Sequence, residues 1–148
     1  MTKLDVLSTE NSIVSNLMRN PNLLSKLKLK PKMFTDINAQ KFVQHVLDKG
    51  KVDVNEIYYK SREDVEFIPT QVLTELFNSN GTDKTYFMQD QMNILNEYIL
   101  NQARSETNNF QSSPSKENFK YLIEQLKELD TLTIEKDNPT DTFLTSVM

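Results

Sequence analysis

The chain has no cysteine and no tryptophan, and it carries only two glycines and one histidine in 148 residues. Without cysteine there is no disulfide and no thiolate metal site, a composition that fits a reducing cytosol. Two glycines, Gly50 and Gly81, are too few for a glycine-rich phosphate loop or a many-turned β fold, and they favour helices. No run approaches the ~20 apolar residues of a membrane span. The opening Met1-Thr2-Lys3-Leu4-Asp5 lacks the apolar stretch of a signal peptide. These features predict a cytoplasmic protein without membrane contact. A formal net charge of -4 disfavours a dedicated nucleic-acid binder, whose domain is usually basic.

Catalytic signatures are missing as well. There is no G-x-x-x-x-G-K-[ST], so the chain alone is not expected to hydrolyse a nucleotide. There is no H-E-x-x-H, no cysteine ligand set and no G-x-S-x-G elbow. His45 has no acidic or cysteine partner at ligand spacing and reads as an ordinary surface or boundary residue. The acid pairs Glu63-Asp64 and Asp137 with Asp141 sit in polar stretches and read as solvated loop charges. No catalytic residue, metal ligand or cofactor site is assigned.

What is present is helical periodicity. Thr82 to Asn109 contains neither glycine nor proline, and Met88, Met92, Leu95 and Ile99 step by four, three and four. Phe87, Ile94 and Tyr98 widen that stripe. A polar break follows at Gln111-Ser112-Ser113-Pro114-Ser115, where Ser113 or Ser115 can cap the next helix. Phe119, Leu122, Leu126 and Leu129 then repeat the spacing, with Ile123 alongside. Two such arms joined by a short turn predict an antiparallel hairpin. A first arm of roughly 26 residues would be about 39 Å long, more than a small domain is wide. Its second arm covers one side only, so another copy of the hairpin or residues 1–80 must cover the rest. The expected interface residues are Met92, Leu95, Ile99, Leu122 and Leu126, some of which must instead join the two arms.

The first eighty residues predict five mostly short helices. Ser8-Thr9-Glu10 opens the first, with Ile13, Val14, Leu17 and Met18 facing inward and Asn20-Pro21 ending it. Pro21 starts a short helix with Leu23, Leu24 and Leu27. In Lys26-Leu27-Lys28-Leu29-Lys30-Pro31-Lys32, lysines alternate with other residues. They read either as a phosphate-binding patch or as a solvated connector with its leucines buried, the second being favoured. Thr35-Asp36 caps a helix bearing Ala39, Phe42, Val43, Val46 and Leu47, closed by Gly50. Asp53 caps the next, which carries Ile57-Tyr58-Tyr59. Adjacent tyrosines lie about 100° apart on a helix, so one core and one boundary tyrosine is favoured over base stacking. Ser61 to Glu66 reads as a loop, and Pro69 begins a helix with Val72, Leu73, Leu76 and Phe77, stopped at Asn78 to Gly81.

The whole predicts an all-α chain. A helical head covers residues 1–81, a long hairpin residues 82–132, and a linker with the start of a linker helix residues 133–148. Glu135 to Asp141 is polar, after which Phe143, Leu144, Val147 and Met148 form an apolar helical start. So short an apolar helix is unstable alone, which suggests a cut through a longer polypeptide.

The order of these features resembles the N-terminal, or collar, domain of DnaB-type replicative DNA helicases. Ser8-Thr9-Glu10, Ile13-Val14 and Leu17-Met18-Arg19-Asn20-Pro21 resemble its opening helix. Lys30-Pro31 with Phe34, then Gln40 and Phe42, resemble its next signature, and Gly50-Lys51-Val52-Asp53-Val54-Asn55-Glu56 its "glycine, apolar, Asp, apolar" element. The hairpin, the turn at Pro114 and the linker before Thr140 complete the order, over nearly the whole chain. Asp64-Val65-Glu66-Phe67 stands where the family has a Gly-Gly turn, which marks a divergent member of phage or mobile-element origin. The resemblance implies a DNA-replication assembly domain whose hairpins pair neighbouring subunits within a hexameric ring. It also implies docking of primase or the helicase loader, and ATP and Mg held only by a motor domain outside this chain. Phe143, Leu144 and Val147 would make the linker-helix contact with a neighbouring motor domain. The alternative is a free-standing phage protein that borrows the collar fold to bind a host helicase, loader or primase. A nucleic-acid-binding module resting on Lys26–Lys32 is the reading from a different class.

Overall fold

The computed structural model describes residues 1–79 and 83–134. Asn80, Gly81 and Thr82 lie outside the described residues, as does everything from Glu135 on, including the expected contacts of Phe143, Leu144 and Val147. The described residues are all-helical, with no strand. Six α-helices run in order: α1 (Lys3–Arg19), α2 (Ile37–Lys49), α3 (Val54–Glu63), α4 (Thr70–Phe77), α5 (Phe87–Ser112) and α6 (Lys116–Asp130). Short 3-10 turns lie at Pro21–Lys26, Pro31–Met33 and Lys84–Tyr86.

Most boundaries follow local capping. Asp36 accepts from the Ala39 amide at 2.9 Å, Asp53 from Glu56 at 3.2 Å and Ser115 from Asn118 at 3.0 Å. Gly50 ends α2 at φ 70°, the left-handed conformation that glycine adopts without a Cβ penalty. Three boundaries differ from the sequence reading, the first being that of α5, which begins at Phe87 rather than Thr82, behind the 3-10 turn that Asp83 caps. α1 starts five residues earlier than Ser8, because Thr2 and Asp5 form a reciprocal capping box. Thr9 lies inside the helix, its hydroxyl donating to the Asp5 carbonyl at 2.8 Å. α3 runs through Ser61, Arg62 and Glu63, which had read as loop, and ends at Asp64. The Asp64 carboxylate then accepts from the Glu66 amide at 2.9 Å. A side chain thus closes the turn without a glycine.

The head is built around α1, which packs against α2, α4 and α5. Ile13, Val14 and Leu17 are fully buried, and Met18 nearly so. Phe42, Val43 and Val46 of α2, Ile57 of α3, Ile68, Leu73 of α4, and Phe87 and Ile94 of α5 close the core around them. Each such side chain contributes about 1.5–3 kcal/mol by leaving water.

Because the second half of α1 is enclosed, its polar residues there need partners inside. Glu10, read from sequence as a first-turn acid, is fully buried. Its carboxylate accepts from the Thr35 amide at 2.9 Å, the Thr35 hydroxyl at 2.6 Å and the Asp36 amide at 3.0 Å. These donors belong to the residues just ahead of α2, so the anion ties the middle of α1 to the positive end of the next helix. Arg19 performs the reciprocal task at a C-terminus, its guanidinium donating to the carbonyls of Phe77 and Ser79 at the end of α4. Replacing Glu10 with Ala removes the shared acceptor of the part-buried Thr35 and Asp36 donors. Urea unfolding of Glu10→Ala should show a loss of about 2–5 kcal/mol, and Glu10→Gln a smaller one because it keeps an acceptor oxygen. A stability equal to the parent for Glu10→Ala would refute this role.

Candidate protein interface

α5 has two halves with different surroundings. In the first, Phe87, Asp90, Gln91, Ile94 and Leu95 are buried in the head. Gln91 is fully buried, and its side-chain oxygen accepts from the Lys28 amide at 2.6 Å and the Leu29 amide at 3.3 Å. Its amide nitrogen donates to the Lys26 carbonyl at 3.0 Å. The lysine-rich connector has no helix to satisfy its backbone, and Gln91 supplies the missing partners. Leu27 and Leu29 are buried beneath it while Lys26, Lys28, Lys30 and Lys32 are exposed, as the solvated-connector reading expects.

Past Leu95, α5 has no buried residue, and α6 has none at all. The two arms pack side by side beyond the head. Asn118 donates to the Ser113 carbonyl at 2.7 Å to close the turn, and the Phe110 and Phe119 rings meet with centroids 6.0 Å apart. The half-buried row of α6 is Asn118, Leu122, Gln125 and Leu129, spaced four, three and four. That is one residue out of step with the sequence-predicted seam, in which Phe119 and Leu126 joined Leu122 and Leu129. The reason lies opposite. From Asn101 to Asn109 the only apolar residue of α5 is Ala103, so the facing arm offers little for an apolar row to pack against.

The consequence is an open apolar stripe. Phe119, Ile123 and Leu126 lie at i, i+4 and i+7, about 100° around α6 from the row that faces α5. They are 49%, 36% and 37% exposed. Of the five expected interface residues, Leu126 alone stands on this stripe. Leu122 is in the half-buried row, Met92 and Ile99 are half-buried, Ile99 packs against the head core, and Leu95 lies within that core. The head therefore covers most of the apolar face of the first arm, Leu100 excepted, and the exposed row of three belongs to the second. Sequence reasoning named Phe119 and Ile123 but missed their place in the surface. The signal was the polar run Asn101–Asn109 on the opposite arm.

Two further concavities lie on the head. One, about 470 Å³, is lined by Ile37, Lys41, His45, Lys60 and Phe67 among others. His45 is buried, contrary to the surface reading, with its ring tilted against Phe67 at 5.4 Å and Nε2 3.8 Å from Glu56. Glu56 also pairs with Lys49 at 3.4 Å and Lys51 at 3.8 Å. Among the described residues no three His, Cys, Asp or Glu side chains are grouped as a metal site. The second, about 530 Å³, lies between the start of α1 and the middle of α5. No described helix is long and apolar enough to cross a membrane.

Comparison with known proteins adds no relative, since no family model, curated protein or solved structure matches this chain.

His45 titrates below the ordinary 6.5, chiefly because burial disfavours its charged form and secondarily through Lys60, against the opposing pull of Glu56. The folded chain therefore binds fewer protons here than the unfolded one. This contribution is present above the unfolded value and is lost as pH falls through 6.5 towards the lower folded value. Urea midpoints measured across that range should fall on acidification, and His45→Gln should flatten the slope. A variant with an unchanged slope would refute the assignment.

Proposed function

We propose that this chain is an assembly module that self-associates through α6 of its hairpin. The observation that carries the reading is the Phe119, Ile123 and Leu126 stripe, left bare on a helix with no buried residue. The apolar face of the first half of α5 is taken up by the head core, whereas on α6 Phe119 meets Phe110 at its edge and the stripe otherwise stays exposed. A second copy presenting the same stripe matches it by two-fold symmetry. Each of the six side chains has roughly two-fifths of its surface left to bury. Each therefore contributes about 0.6–1.2 of the ~1.5–3 kcal/mol of full burial, or about 4–7 kcal/mol together. That reaches the lower part of an association cost of about 4–15 kcal/mol.

The order of sequence motifs supports placing this module in DNA replication, as a divergent collar domain of a DnaB-type hexameric helicase. In that role hairpin pairs build the collar, primase or a helicase loader docks on it, and ATP and Mg belong to a motor domain beyond this chain. An all-helical head carrying a projecting hairpin is consistent with that role.

Sedimentation equilibrium tests the self-association. The parent chain should dimerise at micromolar concentration. Ile123→Asp and Leu126→Asp should be monomeric with unchanged circular dichroism, because both residues are surface-exposed. Leu95→Asp should instead unfold the head. A parent chain that stays monomeric to high micromolar concentration sinks the proposal.

A further inference from the structure

The cavity between α1 and α5 is lined by both apolar and cationic side chains. Val6 and Leu7 form one wall and Leu100 the other, while Lys3 and Arg104 supply the cations. Leu100 is 58% exposed despite lining a concave site in the middle of a long helix. The carboxylate of Glu97 in the same wall is held by the Met1 ammonium at 3.2 Å, which leaves Lys3 and Arg104 to set the sign of the site.

A suitable occupant is tethered nearby. The arms are antiparallel, and Phe110 meets Phe119 near the turn. Counting back along both arms from that pair brings Asp130, the last residue of α6, level with about Ile99 of α5. Leu132 and Ile134 then pack against the head core. The chain thus passes residue 134 beside the stretch of α5 that forms the cavity wall. Residues 135–142 carry three acids, Glu135, Asp137 and Asp141, against one Lys136, and they lead to Phe143, Leu144 and Val147. Eight residues reach at most about 26–29 Å. Crossing one helix takes about 10–12 Å.

We propose that the apolar end of this chain, Phe143, Leu144 and Val147, docks into the α1/α5 groove of its own head, with the acidic linker passing Lys3 and Arg104. Apolar residues meet the apolar walls, and the charge of the linker opposes that of Lys3 and Arg104. The docking is intramolecular, and it stands in place of the linker-helix contact that the replication reading gives to the same three residues. It uses a surface on α1 and α5, away from the α6 stripe, so a chain can dimerise and hold its tail at once.

The absence of cysteine provides a direct test. Ser146→Cys introduces a unique thiol for a nitroxide label on the full chain. Amide signals of Leu7 and Leu100 should be the most strongly broadened relative to the reduced label. Adding Phe143→Asp and Val147→Asp should abolish that broadening while leaving the rest of the spectrum in place. Arg104→Glu should weaken it. Broadening that is absent from the groove, strongest elsewhere, or unaffected by the two aspartates overturns the proposal. So does broadening in a mixture of isotope-labelled chain without nitroxide and unlabelled chain with it, since the tail would then enter a second copy.

Discussion

The head depends on enclosing α1, with other elements packed around it. From Glu10 to Met18 that helix cannot hide its polar residues by turning them to water, so Glu10, Ser12, Ser15 and Asn16 must find partners in the interior. Glu10 shows the most demanding case. A fully buried carboxylate is tolerated because three donors converge on it, two of them backbone amides at the start of α2. The same contact fixes where α2 begins relative to α1, so the enclosure of one helix positions the next. Among the described residues no buried side-chain nitrogen or oxygen lacks a partner.

Gln91 extends this logic to the hairpin. It sits in the half of α5 that belongs to the core, yet its bonds go to the backbone of the Lys26–Lys30 connector. The root of the hairpin is thereby joined to the head by apolar packing and by an amide clamp together. Beyond Leu95 this anchoring ends, and the arms hold one another through a narrow, partly polar row. The projecting part consequently keeps a row of apolar side chains in reach of solvent, and it is mounted on a packed base.

The two surfaces proposed for binding differ in kind. The α6 stripe is convex and apolar, presented by one helix, and suits a symmetric match with its own copy. The α1/α5 groove is concave and partly cationic, and suits an apolar segment preceded by acidic residues. Each arises because two helices of unequal length lie together: α5 outruns the head at its far end, and α1 begins part-way along α5.

The sequence alone determined the all-helical class, the turn at Ser113–Ser115 and most helix starts. These rest on interactions spanning three or four residues, such as Asp36 with Ala39 or Ser115 with Asn118, and short-range spacing is written directly in the chain. Core positions such as Ile13, Leu17, Phe42 and Leu73 were legible for the same reason, since helical periodicity marks one face. The tertiary structure decided what needed a distant partner. Glu10 bonds Thr35 across 25 positions, Gln91 bonds Lys28 across 63, and Arg19 bonds Phe77 across 58. No local pattern encodes those pairings. It also decided which arm keeps the bare apolar stripe. Phe119 and Leu126 fit a seam with spacing of three and four as well as Asn118 and Gln125 do. Only the polar row of the neighbouring helix, brought alongside by the fold, selects between the two registers.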